Sequence, residues 1–290
     1  MTWDVALKLG RVSNLPTVWT NALAGIVLAG STIDASRIVV IIIALSLSYV
    51  GGMFLNDAFD ADIDAVERPE RPIPAGQISK EAVYRWGYSM LLCSVVMLLV
   101  IGTMFAGGTG LWPAFSGIGL AILIIIYNRH HKANPFSPIV MGLCRVFVYL
   151  TAGLCFVVPL GAPVFIGAGL LLAHLIGLTY IAKQENFNRI ENLWPLVFLA
   201  APIVYGGILA LGQPALTPFW MLFTAWVLVA LYFVKRRNPG DVSRAVVSLI
   251  AGICLLDAVL IASVGEMQLA ILAIAGFAMT LVLQKFVSGT

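Results

Sequence analysis

From Arg37 to Asp64 the chain reads RIVVIIIALSLSYVGGMFLNDAFDADID. Residues 38–55 carry no charge, and the run then turns abruptly acidic. A hydrocarbon core of about 30 Å takes about 20 helical residues to cross. The stretch therefore reads as a membrane-spanning helix, over 37–58, that delivers carboxylates to one membrane face. The rest of the chain agrees. Of its 290 residues, 60% are hydrophobic and only 11% are charged, against roughly 25% in ordinary soluble proteins. The mean hydropathy is +0.98. Length alone would suggest two soluble domains, but a soluble fold cannot hide that much apolar surface. A soluble enzyme, a disordered chain and a nucleic-acid binder are excluded. The apolar runs are too long, and do not alternate, as the strands of a transmembrane barrel would.

Ten apolar spans are expected, over 16–33, 37–58, 83–106, 111–128, 136–158, 162–182, 194–212, 217–235, 242–264 and 266–286. The last two are separated by little more than Gly265, so one bent helix, and nine spans, is the alternative. The fold class is all-α, a polytopic transmembrane bundle of nine to ten helices forming one membrane domain over 1–290. With the N-terminus in the cytoplasm, all but one of the seventeen Lys and Arg residues fall on the inner side, the exception being Arg37. That asymmetry is the positive-inside pattern, and it places the motif loops in the cytoplasm. Cys93, Cys144, Cys155 and Cys254 lie inside apolar runs without CxxC spacing, and read as small buried hydrophobes.

Six of the fourteen acidic residues fall between Asp57 and Glu70. Asn56, Asp60 and Asp64 are spaced i, i+4, i+8 and share one helix face. Carboxylates stacked in this way repel one another unless a cation sits among them. Hard oxygen ligands suit Mg²⁺, which also binds substrate phosphates. The candidate metal ligands are Asn56, Asp57, Asp60 and Asp64. A solvated helix end is the plainer explanation, but this cluster abuts membrane depth, where ionisable groups are costly and usually functional. Arg68 and Arg71 follow within a proline-rich stretch, expected to be an extended loop. Two guanidinium groups beside such a site suit a diphosphate.

Two further inner segments carry polar groups. Tyr180, Lys183, Gln184, Asn188 and Arg189 end the sixth span, and Gln184–Asn188 echoes Asn56–Asp60 in register. Tyr127, Arg129, His130, His131 and Lys132 lie between spans four and five. Adjacent histidines diverge on a helix, which argues against a zinc pair. Arg145 lies well inside span five and is expected to face a polar cavity, as is Asn21 in span one. His174 reads as a hydrogen-bonded core residue and Asp257 as an isolated helix–helix contact.

The pattern Asn56-Asp57-x-x-Asp60-x-x-x-Asp64 followed by Arg68-Pro69-x-Arg71-Pro72 resembles the first Asp-rich motif of the UbiA superfamily of intramembrane prenyltransferases. Tyr127 and Lys132 resemble its Tyr/Lys loop, Arg145 its span-five arginine, and Tyr180-x-x-Lys183 the YxxK before its second Asp-rich motif. The resemblance implies a bundle around a central cavity, opening laterally to lipid and capped on the cytoplasmic side. It implies Mg²⁺-dependent transfer of a prenyl group from a prenyl diphosphate to a hydrophobic acceptor, commonly aromatic. Asp60, Asp64, Lys183 and Arg145 would then be catalytic. Arg68, Arg71, Lys132, Arg189, Tyr127, Tyr180, Asn21, Gln184 and Asn188 would bind the diphosphate. Membrane lipids are the surroundings, and nucleic acid is no partner.

The sequence departs from the family pattern at Gln184 and Asn188, where the second motif carries aspartates, and in having a tenth span. Amide oxygens bring no charge, so one Mg²⁺, on the Asn56 side, is expected. The departure also admits a non-catalytic relative that binds or moves an isoprenoid or lipid metabolite. A secondary transporter fits poorly, because its polar groups would cluster at mid-membrane.

Overall fold

The structure, a computed structural model, describes residues 1–31, 34–131, 134–183 and 194–287. These form eleven α-helices: α1 (Trp3–Leu9), α2 (Leu15–Leu28), α3 (Ala35–Glu67), α4 (Lys80–Met104), α5 (Trp112–His130), α6 (Ser137–Leu154), α7 (Ala162–Lys183), α8 (Val197–Gly212), α9 (Thr217–Arg236), α10 (Asp241–Ser263) and α11 (Met267–Leu283). The all-helical class holds. The ten expected spans correspond in order to α2–α11. Gly265, at φ +93°, breaks the chain between α10 and α11, so the last two spans are separate helices. Seven helices are long and apolar enough to cross a membrane, while α8 and α11 are shorter apolar helices. The protein is an integral membrane protein.

Three boundaries differ from expectation. The second span does not end near 58: α3 runs 33 residues to Glu67, about 50 Å at 1.5 Å per residue. Nothing before Pro69 stops it, so its last turns project beyond a 30 Å core as a helix and carry the acidic residues with them. Arg68, held off the helical region by the proline that follows, ends it at φ −144°. The proline stretch after it is non-helical, as expected, but not extended. It folds into successive turns in which the amides of Arg71, Ala75 and Gln77 donate to the carbonyls of Arg68, Arg71 and Pro72. Finally, α1 was not foreseen. It buries Val5 and Leu9 against Phe54, Ala58 and Val83, and so brings the chain past the acidic end of α3.

Sequence neighbours α3/α4, α5/α6, α6/α7, α9/α10 and α10/α11 pack together, as short connections dictate. The centre of the bundle is less predictable. It is α10, 83% buried along its membrane window, packed against α2, which has only 14 residues and is buried along nearly all of them. A Cβ at Gly25 would lie 2.4 Å from the Tyr149 carbonyl, so glycine is what lets α2 and α6 touch backbone to backbone.

The end opposite the acidic cluster holds Arg37, the one cation expected outside. It is buried, donates to the carbonyls of Ala106, Gly107 and Cys155, and stacks 4.7 Å from the Phe156 ring centroid. Asp34 caps α3 beside it, and hydrogen bonds from the Ser36 hydroxyl and the Arg37 amide hold its carboxyl below the ordinary range. Of the cysteines, Cys155 and Cys254 are buried and Cys144 half-buried, whereas Cys93 is exposed, on the outer face of α4, and corrects the buried reading.

Candidate functional site

The last three turns of α3 carry the site. Asn56, Asp57, Asp60 and Asp64 are only 3–7% exposed, so the i, i+4, i+8 face points into the bundle and Asp57 turns in beside it. Asp62, on the opposite face, is exposed and pairs with Lys80 at 2.9 Å.

The buried acids are met by basic side chains from three other segments. Arg71 donates to Asp64 at 2.7 Å and to Asp57 at 3.4 Å, which the turns of the proline stretch make possible by folding it back. Arg11 donates to Asp57 at 3.1 Å and to Asn56 at 3.2 Å. His131, at the end of α5, lies 3.4 Å from Asp60 and stacks on Tyr127. The side-chain amide of Asn56 donates to Asn128 of α5, whose own amide donates to the Gly52 carbonyl. Arg68 is half-buried at the same end.

Arg11, Asn128 and His131 were not selected from the sequence as site residues. Arg11 lies 45 residues before Asn56 in the chain and inside no motif. It sits in a left-handed turn, at φ +41°, that follows Gly10 and aims the side chain at α3. A non-glycine residue in that region costs of order 1 kcal/mol. That outlier is a structural signal that composition does not carry.

Two cavities meet at Asn128. The outer one, of about 500 Å³, is bordered by Phe59, Asp60 and Ile63 of α3, by Asn128–His131 and by Asn134. Lys183 of α7 donates to the carbonyl of Asn134, one of the lining residues, at 2.9 Å. The inner one, of about 50 Å³, runs between α2, α3, α5 and α6 with largely apolar walls such as Leu45, Leu120, Ile124 and Val148. Tyr49, Tyr127 and Arg145 also face it.

Arg145 and Asn21 are therefore not on the acidic face. Arg145 donates to the Asn21 side-chain oxygen at 3.1 Å, and Asn21 donates to both carboxylate oxygens of Asp257, at 2.8 and 3.1 Å. Asp257 also accepts the Tyr149 hydroxyl. Asp257 thus joins α10 to α2 and α6, a helix contact as expected, but within a network rather than isolated. His174 is the core residue expected, with Nε2 at 3.0 Å from the Leu249 carbonyl. Tyr180 is half-buried near the end of α7. Lys132, Gln184, Asn188 and Arg189 lie outside the described residues.

The arrangement can neutralise a polyanion beside an apolar chamber. Its donor chemistry fits Mg²⁺: Asn56, Asp60 and Asp64 supply hard oxygens from one buried face. Among the described residues no three acids or histidines already converge as a cation cage. The acids instead hold Arg11, Arg71 and His131, groups that a metal-bound polyanion would draw toward itself.

The family model for "UbiA prenyltransferase family" matches residues 18–250. The chain is 26% identical over 207 residues to the digeranylgeranylglyceryl phosphate synthase of Methanopyrus kandleri, 71% of either chain. It is 34% identical over 136 residues to the enzyme of that name from Methanothrix thermoacetophila, 45% of this chain and 46% of that one. In fold it is similar to the apo structure of a UbiA homolog from Aeropyrum pernix K1, with a TM-score of 0.67 and 14% identity over 87% of this chain and 97% of that one. A UbiA homolog from Archaeoglobus fulgidus bound to GPP and Mg²⁺ superposes with a TM-score of 0.55 and 15% identity, over 91% of this chain and 99% of that one.

Proposed function

The chain belongs to the UbiA prenyltransferase family, and from that premise we propose that it transfers a prenyl group from a prenyl diphosphate to an amphiphilic acceptor where its two cavities meet. The observation that carries this reading is the buried carboxylate face of α3, paired with arginines and opening at Asn128 into an apolar chamber. Asn56, Asp60 and Asp64 would hold Mg²⁺, which when bound neutralises the diphosphate and eases its departure. The relatives named as digeranylgeranylglyceryl phosphate synthases and the neighbour bound to GPP and Mg²⁺ support that chemistry.

The chain's own residues do the rest. Asp57 is not a ligand in this scheme. It holds Arg11 and Arg71 at the mouth of the site, where charge-assisted bonds contribute about 1.5–3 kcal/mol each. As the bond between the prenyl C1 and the diphosphate oxygen breaks, negative charge grows on the leaving group. Arg11, Arg68 and Arg71 receive it, with Lys183 beside Asn134 adding a further positive charge. The Tyr127 ring offers a π face to the allylic cation. The acceptor's nucleophilic atom then bonds to C1, and its proton leaves with the diphosphate. The apolar walls exclude water, which would otherwise capture the cation. The polar end faces the cytoplasm, as the distribution of lysine and arginine supports.

Radiolabelled geranylgeranyl diphosphate, supplied to purified protein in nanodiscs with candidate acceptors, tests this. Product that forms with Mg²⁺, stops with EDTA and is lost in Asp60→Asn is expected. Absence of Mg²⁺-dependent product together with unaltered diphosphate binding in Asp60→Asn overturns the reading. Gln184 and Asn188, in place of the family's second pair of aspartates, favour one alternative, a protein that binds an isoprenoid without turning it over. Turnover that appears only when both are changed to aspartate would select that alternative.

A further inference from the structure

The turn between α9 and α10 lies at the same end of the bundle as the acidic face of α3. α11 runs back beside α10, and Gln284, just past its end, donates to Asn14, three residues after the Arg11 that meets Asp57. The charge at this turn has the opposite sign and is mostly unanswered. Lys235-Arg236-Arg237-Asn238-Pro239-Gly240-Asp241-Val242-Ser243-Arg244 holds four cations and one acid. Arg236 takes that acid, with bonds of 2.7 and 2.8 Å to the two oxygens of Asp241. Arg244 comes within 3.7 Å of it and leaves 64% of its side chain exposed. Lys235 and Arg237 are exposed and form no ion pair among the described residues. Exposed Lys285 follows α11 at the same end.

The turn is fixed rather than loose. Asp241 also accepts the Asn238 amide at 3.0 Å, and its own amide donates to the Asn238 carbonyl at 2.9 Å. Arg236 lies over the rings of Tyr232 and Phe233. Arg237 sits at φ +58°, left-handed, which among the described non-glycine residues only Arg11 shares. Arg11 reaches a carboxylate of this chain from that conformation, whereas Arg237 reaches none. What adjoins it is the membrane surface. The turn joins two helices long and apolar enough to cross a membrane. Tyr232 and Phe286, exposed beside it, are aromatic side chains of the kind that gather at headgroup level. Guanidinium and ammonium groups fanned from one rigid turn at that level match a phosphate. A zwitterionic lipid brings no net charge to answer them, and a free phosphate has no acyl chains to hold it against α9 and α10.

We propose that the α9–α10 turn is a docking site for the headgroup of an anionic membrane phospholipid, gripped by Lys235, Arg237 and Arg244, while the Arg236–Asp241 pair holds the turn in shape. The site stands apart from the prenyl-transfer reading and needs neither Mg²⁺ nor a prenyl diphosphate.

Native mass spectrometry of the full chain in detergent, titrated with dioleoylphosphatidylglycerol or with dioleoylphosphatidylcholine, tests the site. The anionic lipid should bind at least about tenfold tighter than the zwitterionic one, since each Lys or Arg near an anionic surface contributes about fivefold. Arg237→Gly removes the guanidinium while suiting the left-handed backbone, and should lower the preference about fivefold. Lys235→Gln with Arg237→Gly and Arg244→Gln should abolish it. Arg85→Gln removes one exposed cation at the start of α4, where Glu81 lies one turn before it, and should leave the preference within about twofold. Should the triple variant not fold, Arg237→Gly and Lys235→Gln taken singly carry the same test. Equal binding of the two lipids in the parent protein, or a preference that survives in the variants of the turn, overturns the proposal. So does a loss in Arg85→Gln as large as in Arg237→Gly, which would make the effect one of net charge. Displacement of the anionic lipid by an equal concentration of inorganic phosphate would mark a site for small phosphates and overturn the lipid assignment.

Discussion

The molecule buries carboxylates in two places and treats them in opposite ways. At the end of α3, Asp57 and Asp64 are met by arginines and Asp60 by a histidine, each rooted in a turn or a helix end. At the centre, Asp257 is met by Asn21 and Tyr149, neutral donors on helices packed backbone to backbone. The first cluster borders a wide polar cavity, whereas the second is sealed at 0% exposure. Long arginines in turns can leave one anion for another. Neutral donors fixed on rigid, close-packed helices cannot. The difference separates carboxylates built for exchange with a ligand from one built to orient its neighbours.

The comparison breaks most visibly at Asp60. Asp60→Asn keeps the shape and removes the charge. Turnover of radiolabelled prenyl diphosphate should fall about 10²–10³-fold, the effect of losing one preorganised electrostatic group, with the thermal midpoint unmoved. Asp257→Leu should do the reverse. It leaves Asn21 and Tyr149 with unpaired buried donors and should cost about 3 kcal/mol of stability, read as a lowered midpoint in detergent. Mg²⁺-dependent diphosphate binding per folded molecule should survive it. A Gly25→Ala variant sharpens the second half. Its Cβ, 2.4 Å from the Tyr149 carbonyl, should part α2 from α6 at about 1–3 kcal/mol. Lys80→Ala, which removes the partner of exposed Asp62, should change stability by at most about 0.5 kcal/mol and leave turnover as it was. A large loss there would mean that the outward acids also serve the site.

Much of this was legible in one dimension. The hydropathy runs foresaw α2–α11 in order, because about 20 apolar residues in a row have few other fates in a chain this poor in charge. The i, i+4, i+8 spacing of Asn56, Asp60 and Asp64 foresaw their common face, because helical geometry alone sets which residues align. Reading the proline stretch as extended was wrong in an instructive way. Proline restricts φ, but the turns that return Arg71 to Asp64 depend on what it finds there. Arg145 was read as catalytic and Asn21 as a diphosphate ligand, and only packing shows that they pair with each other away from the acidic face, with Arg145 in the wall of the inner cavity.

Spacing along a helix and the cost of leaving peptide groups unpaired in lipid are local quantities. The sequence by itself therefore determined a membrane bundle with an acidic face at one end and cations gathered beside it. Which residues from distant segments meet depends on where helices cross and how closely they approach. A glycine at position 25, a left-handed turn at Arg11 and the burial of α10 control these, and no periodicity records them. Only the tertiary structure brought Arg11 to Asp57, Asn128 to Asn56, and Asp257 to Asn21. It thereby divided one presumed pocket into an outer chamber bordered by charge and an inner, largely apolar one with Arg145 in its wall.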